Sequence, residues 1–344
     1  MIRKDFFGYG EDGITMIERY TLENRNGTKV GILTLGASIQ SFVICGTDIV
    51  LGFDEPTAYQ KQEVYMGATI GRFANRIGNG TMQIREKTYR LAKNNGPNHL
   101  HGGAEGFDRK IWQAEVKENT LHLYYTSCDG EEGYPGNLET EVIYCLNDED
   151  ALSVVHKAKS DQDTIVNLTN HSYFNLNGHG YASLAEHEVQ IFADCFTKND
   201  ENTLPTGEIC HVVDTPMDFL QPRLLLSRIE EPYEQLALAN GYDHHWIVRG
   251  EGFRPFLKVS GRQSGITMEI FSNQAGMQMY TGNYLGADIA GKEGVFYPKR
   301  SGVCFETQGF ADAPNKTNFP SALLKAGELY ERKTVFLLKK ENRT

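Results

Sequence analysis

The side chains of this sequence best able to move protons or hold a ligand sit in short polar patches between apolar runs. The stretch "NNGPNHLHGG" at residues 94–103 puts His99 and His101 two positions apart and follows them with Gly102 and Gly103. In "VCFETQ", Glu306 follows an apolar run, so a strand there carries a carboxylate toward the interior or into a concave face. A buried carboxylate is costly unless it is hydrogen-bonded or used. Two readings of Glu306 therefore stand level: a structural ion pair, for which Arg72 and Arg76 are available, or a chemical role. His171 lies in "TNHSYFN" among groups able to hydrogen-bond an imidazole, a setting in which a lone histidine is more often structural than catalytic.

A metal is the weaker reading of these histidines. His244 and His245 follow Asp243 in "NGYDHHW", but adjacent side chains on a strand point to opposite faces and do not clasp one ion. His99 and His101 are able to share a face, yet no cysteine or spaced third ligand accompanies them. The segment "GRFANRIGNG" at 71–80 has neither the G-x-G-x-x-G spacing of a dinucleotide site nor the lysine of a phosphate loop. What remains suits a polyhydroxylated ligand. Asparagines, arginine, aspartate and Gln278 hydrogen-bond vicinal hydroxyls, while Trp112, Tyr173 or Phe174 cover an apolar sugar face.

The elements that must position these groups read as strands. "TLHLYYTS" places Leu121, Leu123 and Tyr125 on one face, "HEVQIFA" places Val189 and Ile191 together, and "ITMEIFS" repeats the pattern from Ile266. Turn signals separate the segments at "CGTD" near Cys45, "DGEEGYPGN" from Asp129 and "GRQSG" from Gly261, the last closing a hairpin. A helical period runs only through Leu225, Ile229, Leu236 and Leu238, and Pro232 interrupts it. With no βαβ alternation, repeat or linker, the chain reads as one domain over residues 1–344, an all-β antiparallel sandwich with few short peripheral helices.

Composition narrows the partners. Lys plus Arg is 34 against 45 for Asp plus Glu, and the net charge of −11 disfavours nucleic acid or an anionic membrane surface. The N-terminal "MIRKDFFGYGEDG" lacks the apolar run of an export signal, and no later segment approaches a membrane span, so the chain reads as cytoplasmic. Six scattered cysteines with no C-x-x-C pair read as reduced, buried thiols.

Taken in order, "VLGFDEPTAYQKQEVYMGATIGRFANRIGNGT", "NHLHGGAEGFDRKIW", "TNHSYFNLNGHG", "NGYDHHW", "GMQMYTGNYL" and "CFETQGFADAPNKTNFPSALLKAGE" resemble the aldose 1-epimerase (galactose mutarotase) family across about residues 50–330. The resemblance implies a galactose mutarotase-like β-sandwich. It also implies interconversion of the α and β anomers of free aldohexoses such as galactose and glucose, in hexose and galactose metabolism, with no metal or organic cofactor. By motif it makes Glu306 the catalytic base and His171 the acid, with Asn75, Arg76, His101, Tyr173, Asp243 and Gln278 as substrate-binding residues. His101 is then the sugar-facing member of "NHLH" and His99 exposed decoration. A monomer or homodimer is expected. The rival readings are a glycoside hydrolase using Asp243 with Glu306, a non-catalytic sugar-binding protein, and an epimerase of hexose 6-phosphates.

Overall fold

The computed structural model describes residues 1–286 and 290–340. Among these, three antiparallel sheets dominate. The first is a meander of Ile2–Tyr9, Met16–Glu23, Lys29–Leu33, Ile39–Ile44 and Thr47–Asp48, each strand paired with its sequence neighbour. The second, nine-stranded, runs in space through Gln113–Lys117, Thr120–Ser127, Leu138–Leu146, Ala151–Ser160, Leu329–Lys340, Ile266–Ser272, Arg254–Gly261, His187–Ile191 and Arg223–Leu224. The third, six-stranded, orders Tyr173–Phe174, Val303–Gln308, Gly276–Tyr280, Asp243–Val248, Ala193–Asn199 and Pro205–His211. The "GRQSG" turn joins Arg254–Gly261 to Ile266–Ser272 as a hairpin.

One core binds the sheets into a sandwich. Leu121, Leu123, Val142, Val154, Met268 and Phe336 of the nine-stranded sheet belong to the same buried cluster as Trp246, Met277, Met279, Val303 and Phe305 of the six-stranded one. Burying each such side chain contributes about 1.5–3 kcal/mol. Because strand side chains alternate, committing Val303 and Phe305 to this core turns Cys304, Glu306 and Gln308 to the opposite face. Met277 and Met279 likewise turn Gln278 and Tyr280 outward from the core, and Trp246 does the same for Asp243 and His245. The register then lines these residues up in rows: Asp243, Tyr280 and Cys304 in one, His245, Gln278 and Glu306 in the next. A polar floor is thus the necessary reverse side of an apolar core.

Helices are few and short, as the sequence pattern requires. The helical period condenses to Glu234–Ala239 after Pro232, and a second helix, Pro56–Lys61, has proline in its first turn and no hydrophobic repeat long enough to announce it. No helix among the described residues is long and apolar enough to cross a membrane. The expectation of buried thiols fails: Cys45 and Cys128 are exposed, Cys145, Cys195 and Cys210 half-buried, and Cys304 buried, all six free.

Candidate active site

Glu306 and His171 meet over this floor. The strand Val303–Gln308 carries Glu306, while His171 occupies the two-residue gap between two short pairings, Thr169–Asn170 with Thr69–Ile70 and Tyr173–Phe174 with the strand Val303–Gln308. Its N–H donates to the Ala68 carbonyl at 2.8 Å, and its carbonyl accepts from the Gly67 N–H at 3.0 Å, which pins the backbone on both sides. The imidazole Nε2 lies 3.6 Å from Glu306 Oε1, with both side chains buried. On the far side of the ring, Nδ1 is 3.5 Å from Cys304 Sγ.

Electrostatics in this pocket are dominated by the loss of water. Burial, with the Asp243 carboxylate nearby, pushes the Glu306 carboxyl well above the usual carboxylate range, partly opposed by Arg76. Burial also pushes the His171 imidazole down to about 4. Each group alone thus prefers to be neutral, while their proximity favours the doubly charged form. Both forms of the pair hold one proton, and they differ only in where it sits.

The remaining predicted residues surround the pair. Arg76 Nε donates to Asn95 Oδ1 at 3.1 Å, and Nη1 lies 3.9 Å from Asp243 Oδ2. Gln278 Nε2 donates to Asp243 Oδ1 at 2.6 Å, fixing that carboxylate from the other side. Asn75 and His101 both adopt left-handed backbone, at φ 71° and 52°, and the Asn75 N–H donates to His101 Nδ1 at 3.1 Å. Strain of order 1–2 kcal/mol per residue is thereby held at the site. Since Nδ1 accepts, and burial holds the ring's pKa well below its ordinary value, neutral His101 carries its proton on Nε2.

The ligand atoms of His101, His171 and Glu306 lie within 4.8 Å of one another, a clustering that the isolated "NHLH" motif did not foretell. The tautomer of His101 makes this a poor metal clasp, because its free nitrogen offers a proton rather than a lone pair. A hydroxyl or ring oxygen suits it better.

Several expectations are corrected. His99 is not exposed decoration: it is fully buried, Nδ1 donates to the Ala92 carbonyl at 2.7 Å, and Nε2 accepts from the Tyr134 hydroxyl at 2.6 Å. His99 and Leu100 pair with Ile77 and Arg76, and the chain then leaves the strand through the positive φ of His101, so the two histidines do not share a face. Gly102 serves a backbone contact rather than the ligand, since a Cβ there would lie 1.8 Å from the Gly71 carbonyl oxygen. His99→Ala should accordingly lower the thermal midpoint, with the unpaired Tyr134 hydroxyl and Ala92 carbonyl costing about 1–3 kcal/mol each, while turnover stays near wild type. Polarimetric assay beside thermal melting separates the two effects.

Arg72 does not pair with Glu306. Its guanidinium donates to the carbonyls of Ser127, Cys128, Pro135 and Gly136 and to Ser127 Oγ, and it serves as a buried staple. Trp112 packs against Phe107 and Tyr125, and Phe174 against Phe305 and Phe336, so neither reaches a ligand. Tyr173 backs the His171 ring at 5.2 Å and gives its hydroxyl proton to the Val64 carbonyl. Sequence reasoning missed Tyr65, whose ring lies 4.6 Å from His101 and 5.8 Å from His171, and Tyr280, which is 6.3 Å from His171. Both lie inside the quoted motifs, but nothing in their spacing distinguished them.

Comparison with known proteins gives the family. The family profile described as aldose 1-epimerase matches residues 18–337. Galactose mutarotase of Bos taurus is 42% identical, with 97% of this chain and 98% of the relative covered, and that of Homo sapiens is 40% identical over 97% and 98%. Aldose 1-epimerase of Haemophilus influenzae is 34% identical over 93% and 95%. Among solved structures, a GalM/aldose epimerase homologue from C. elegans superposes with a TM-score of 0.87 at 30% identity, covering 94% of this chain and 98% of the other. Galactose 1-epimerase from Lactobacillus acidophilus gives the same TM-score at 26% identity over 99% and 100%. Sequence and fold lead to one assignment: this chain belongs to the aldose 1-epimerase family.

Proposed function

We propose that the protein is a mutarotase that interconverts the α and β anomers of free aldohexoses such as galactose and glucose by acid–base ring opening and reclosure. The observation that carries this reading is the buried pair Glu306 and His171, facing each other at 3.6 Å among side chains suited to hydroxyls. A cyclic aldose opens when its anomeric hydroxyl loses a proton as the ring oxygen gains one, so it needs one base and one acid about the C1–O5 bond. Glu306 as carboxylate takes the C1 hydroxyl proton, the C1–O5 bond breaks, and His171 as imidazolium gives its proton to O5. The sugar becomes an open-chain aldehyde and the pair becomes a neutral carboxylic acid and a neutral imidazole. Rotation about C1–C2 presents the other aldehyde face. Reclosure returns the O5 proton to His171 and the Glu306 proton to O1, with no net change in the enzyme.

Burial assists this cycle. The open-chain complex is the state in which both groups are neutral, the form that the water-poor pocket favours. In this reading the His101 Nε2–H and Arg76 stabilise charge developing on the ring oxygen, and Asp243, held by Gln278 and Arg76, anchors hydroxyls. Asn75 fixes His101, and Tyr173 supports His171. Because Asp243 is tied in this way, His171 rather than a second carboxylate faces Glu306, which favours an epimerase over a glycosidase. The reading requires neither metal nor organic cofactor.

Polarimetry of freshly dissolved α-D-galactose and α-D-glucose tests the activity. The protein should speed the drift of rotation to its equilibrium value and release no reducing end from a glycoside. Dialysis against a strong chelator should leave the rate unchanged, and activity lost to the chelator and restored by a divalent cation would refute the cofactor-free mechanism.

A further inference from the structure

We propose that Tyr65 is a positioning residue for the two site imidazoles, fixing their relative tilt and shielding His171 from water. This inference rests on the reading of His171 as the acid. Four rings surround His171: Tyr65 at 5.8 Å, His101 at 5.4 Å, Tyr173 at 5.2 Å and Tyr280 at 6.3 Å. Of these, Tyr65 also lies against His101, at 4.6 Å with the planes 60° apart, while His101 and His171 stand nearly perpendicular at 85°. One phenol ring thus touches both working imidazoles. Removing it leaves each free to tilt and opens a path for solvent to the His171 edge.

The ring is held by its loop rather than by chance. Tyr65 has a left-handed backbone at φ 56°, and its carbonyl accepts from the Ala68 N–H at 3.1 Å. Gln62 Oε1 accepts from the Met66 N–H at 2.8 Å, Arg109 donates to the carbonyls of Gln60 and Gln62, and Val64 accepts the Tyr173 hydroxyl proton at 2.9 Å. The last bond ties the loop to the Tyr173 ring, so that two of the rings around the imidazole belong to one connected unit. Tyr65 itself is half-buried and packs against the small cluster Ala68, Ile70 and Ala74 rather than within the main core.

The test compares Tyr65→Leu and Tyr65→Phe by polarimetry across pH, with thermal melting as a check on folding. Misplacement of reacting groups by about 1 Å costs up to roughly 100-fold, so the leucine variant should lose about 10–100-fold in kcat with little change in KM. The groups facing His171 are Glu306, His101, Tyr65, Tyr173, Tyr280 and Cys304, with Asp243 and Arg76 beyond Glu306. Admitting water among them returns His171 from about 4 toward its ordinary 6.5 and brings Glu306 down, so the bell-shaped profile should narrow from both sides. The phenylalanine variant should restore both rate and profile. Wild-type rate and profile in the leucine variant would overturn the proposal. So would equal impairment in the phenylalanine variant, which would move the role to the hydroxyl, or a leucine variant recoverable only unfolded, which would make the ring part of the framework. Failure of the acid assignment shows separately, as wild-type turnover in His171→Asn.

Discussion

Glu306→Gln should lower the turnover of anomer interconversion by about 10²–10⁴-fold, the range that positioned proton transfer supplies, while sugar affinity stays within a small factor. The amide keeps the shape of the side chain but has no lone pair basic enough to take the C1 hydroxyl proton. It should also fold at least as well as the wild type. Glu306 Oε2 has no hydrogen-bond partner among the described residues, and the Asp243 carboxylate raises the cost of a charge at Glu306. Replacing a buried, poorly partnered acid by a neutral amide removes that cost, a trade of stability for activity common at functional sites. Stopped polarimetry, sugar titration and a thermal melt report the three quantities. Near wild-type turnover in this variant would remove Glu306 from the base role.

His171→Asn should give a loss of similar size, again about 10²–10⁴-fold in turnover with modest change in binding. An asparagine amide donates a hydrogen bond to the ring oxygen but does not release its proton, so O5 departs as an unprotonated alkoxide, a far poorer leaving group than the hydroxyl. The loss should not be additive with that of Glu306→Gln, because ring opening needs both transfers and the double variant lacks a step already lost in either single one. Full activity in His171→Asn would shift the acid to His101, whose Nε2 carries the proton that faces the site.

Much of the framework was legible because alternation is a local signal. The faces of Thr120–Ser127, His187–Ile191 and Ile266–Ser272 follow from their period of two, and the turn from Gly261 closes the hairpin that its glycines announce. Pairing over long distance was not legible. Leu329–Lys340 inserts between Ala151–Ser160 and Ile266–Ser272, an order set by mutual burial rather than by anything near the strand itself. The same limit explains the site. The ordered motifs pointed to Glu306 and His171, which the fold brings together, but the fates of Arg72 and His99 depended on distant partners, the carbonyls around Ser127 and the Tyr134 hydroxyl. Tyr65 joined the site only through a loop whose anchors, Arg109 and Tyr173, are far away in sequence.

The pH dependence of kcat/KM for α-D-galactose, with buffer catalysis subtracted, tests the shared-proton account most directly. At low pH the pair takes a second proton and loses its base, an event that burial of His171 places near pH 4. At high pH it loses its last proton and with it the acid, an event that the raised Glu306 carboxyl delays. Activity follows the one-proton state between them, so the limbs belong to the pair rather than to either residue. The account predicts a bell with a broad plateau through neutrality, and a profile missing a limb in Glu306→Gln. A rate that keeps rising with pH, with no alkaline limb before the protein unfolds, would contradict it, because a lone base would then suffice.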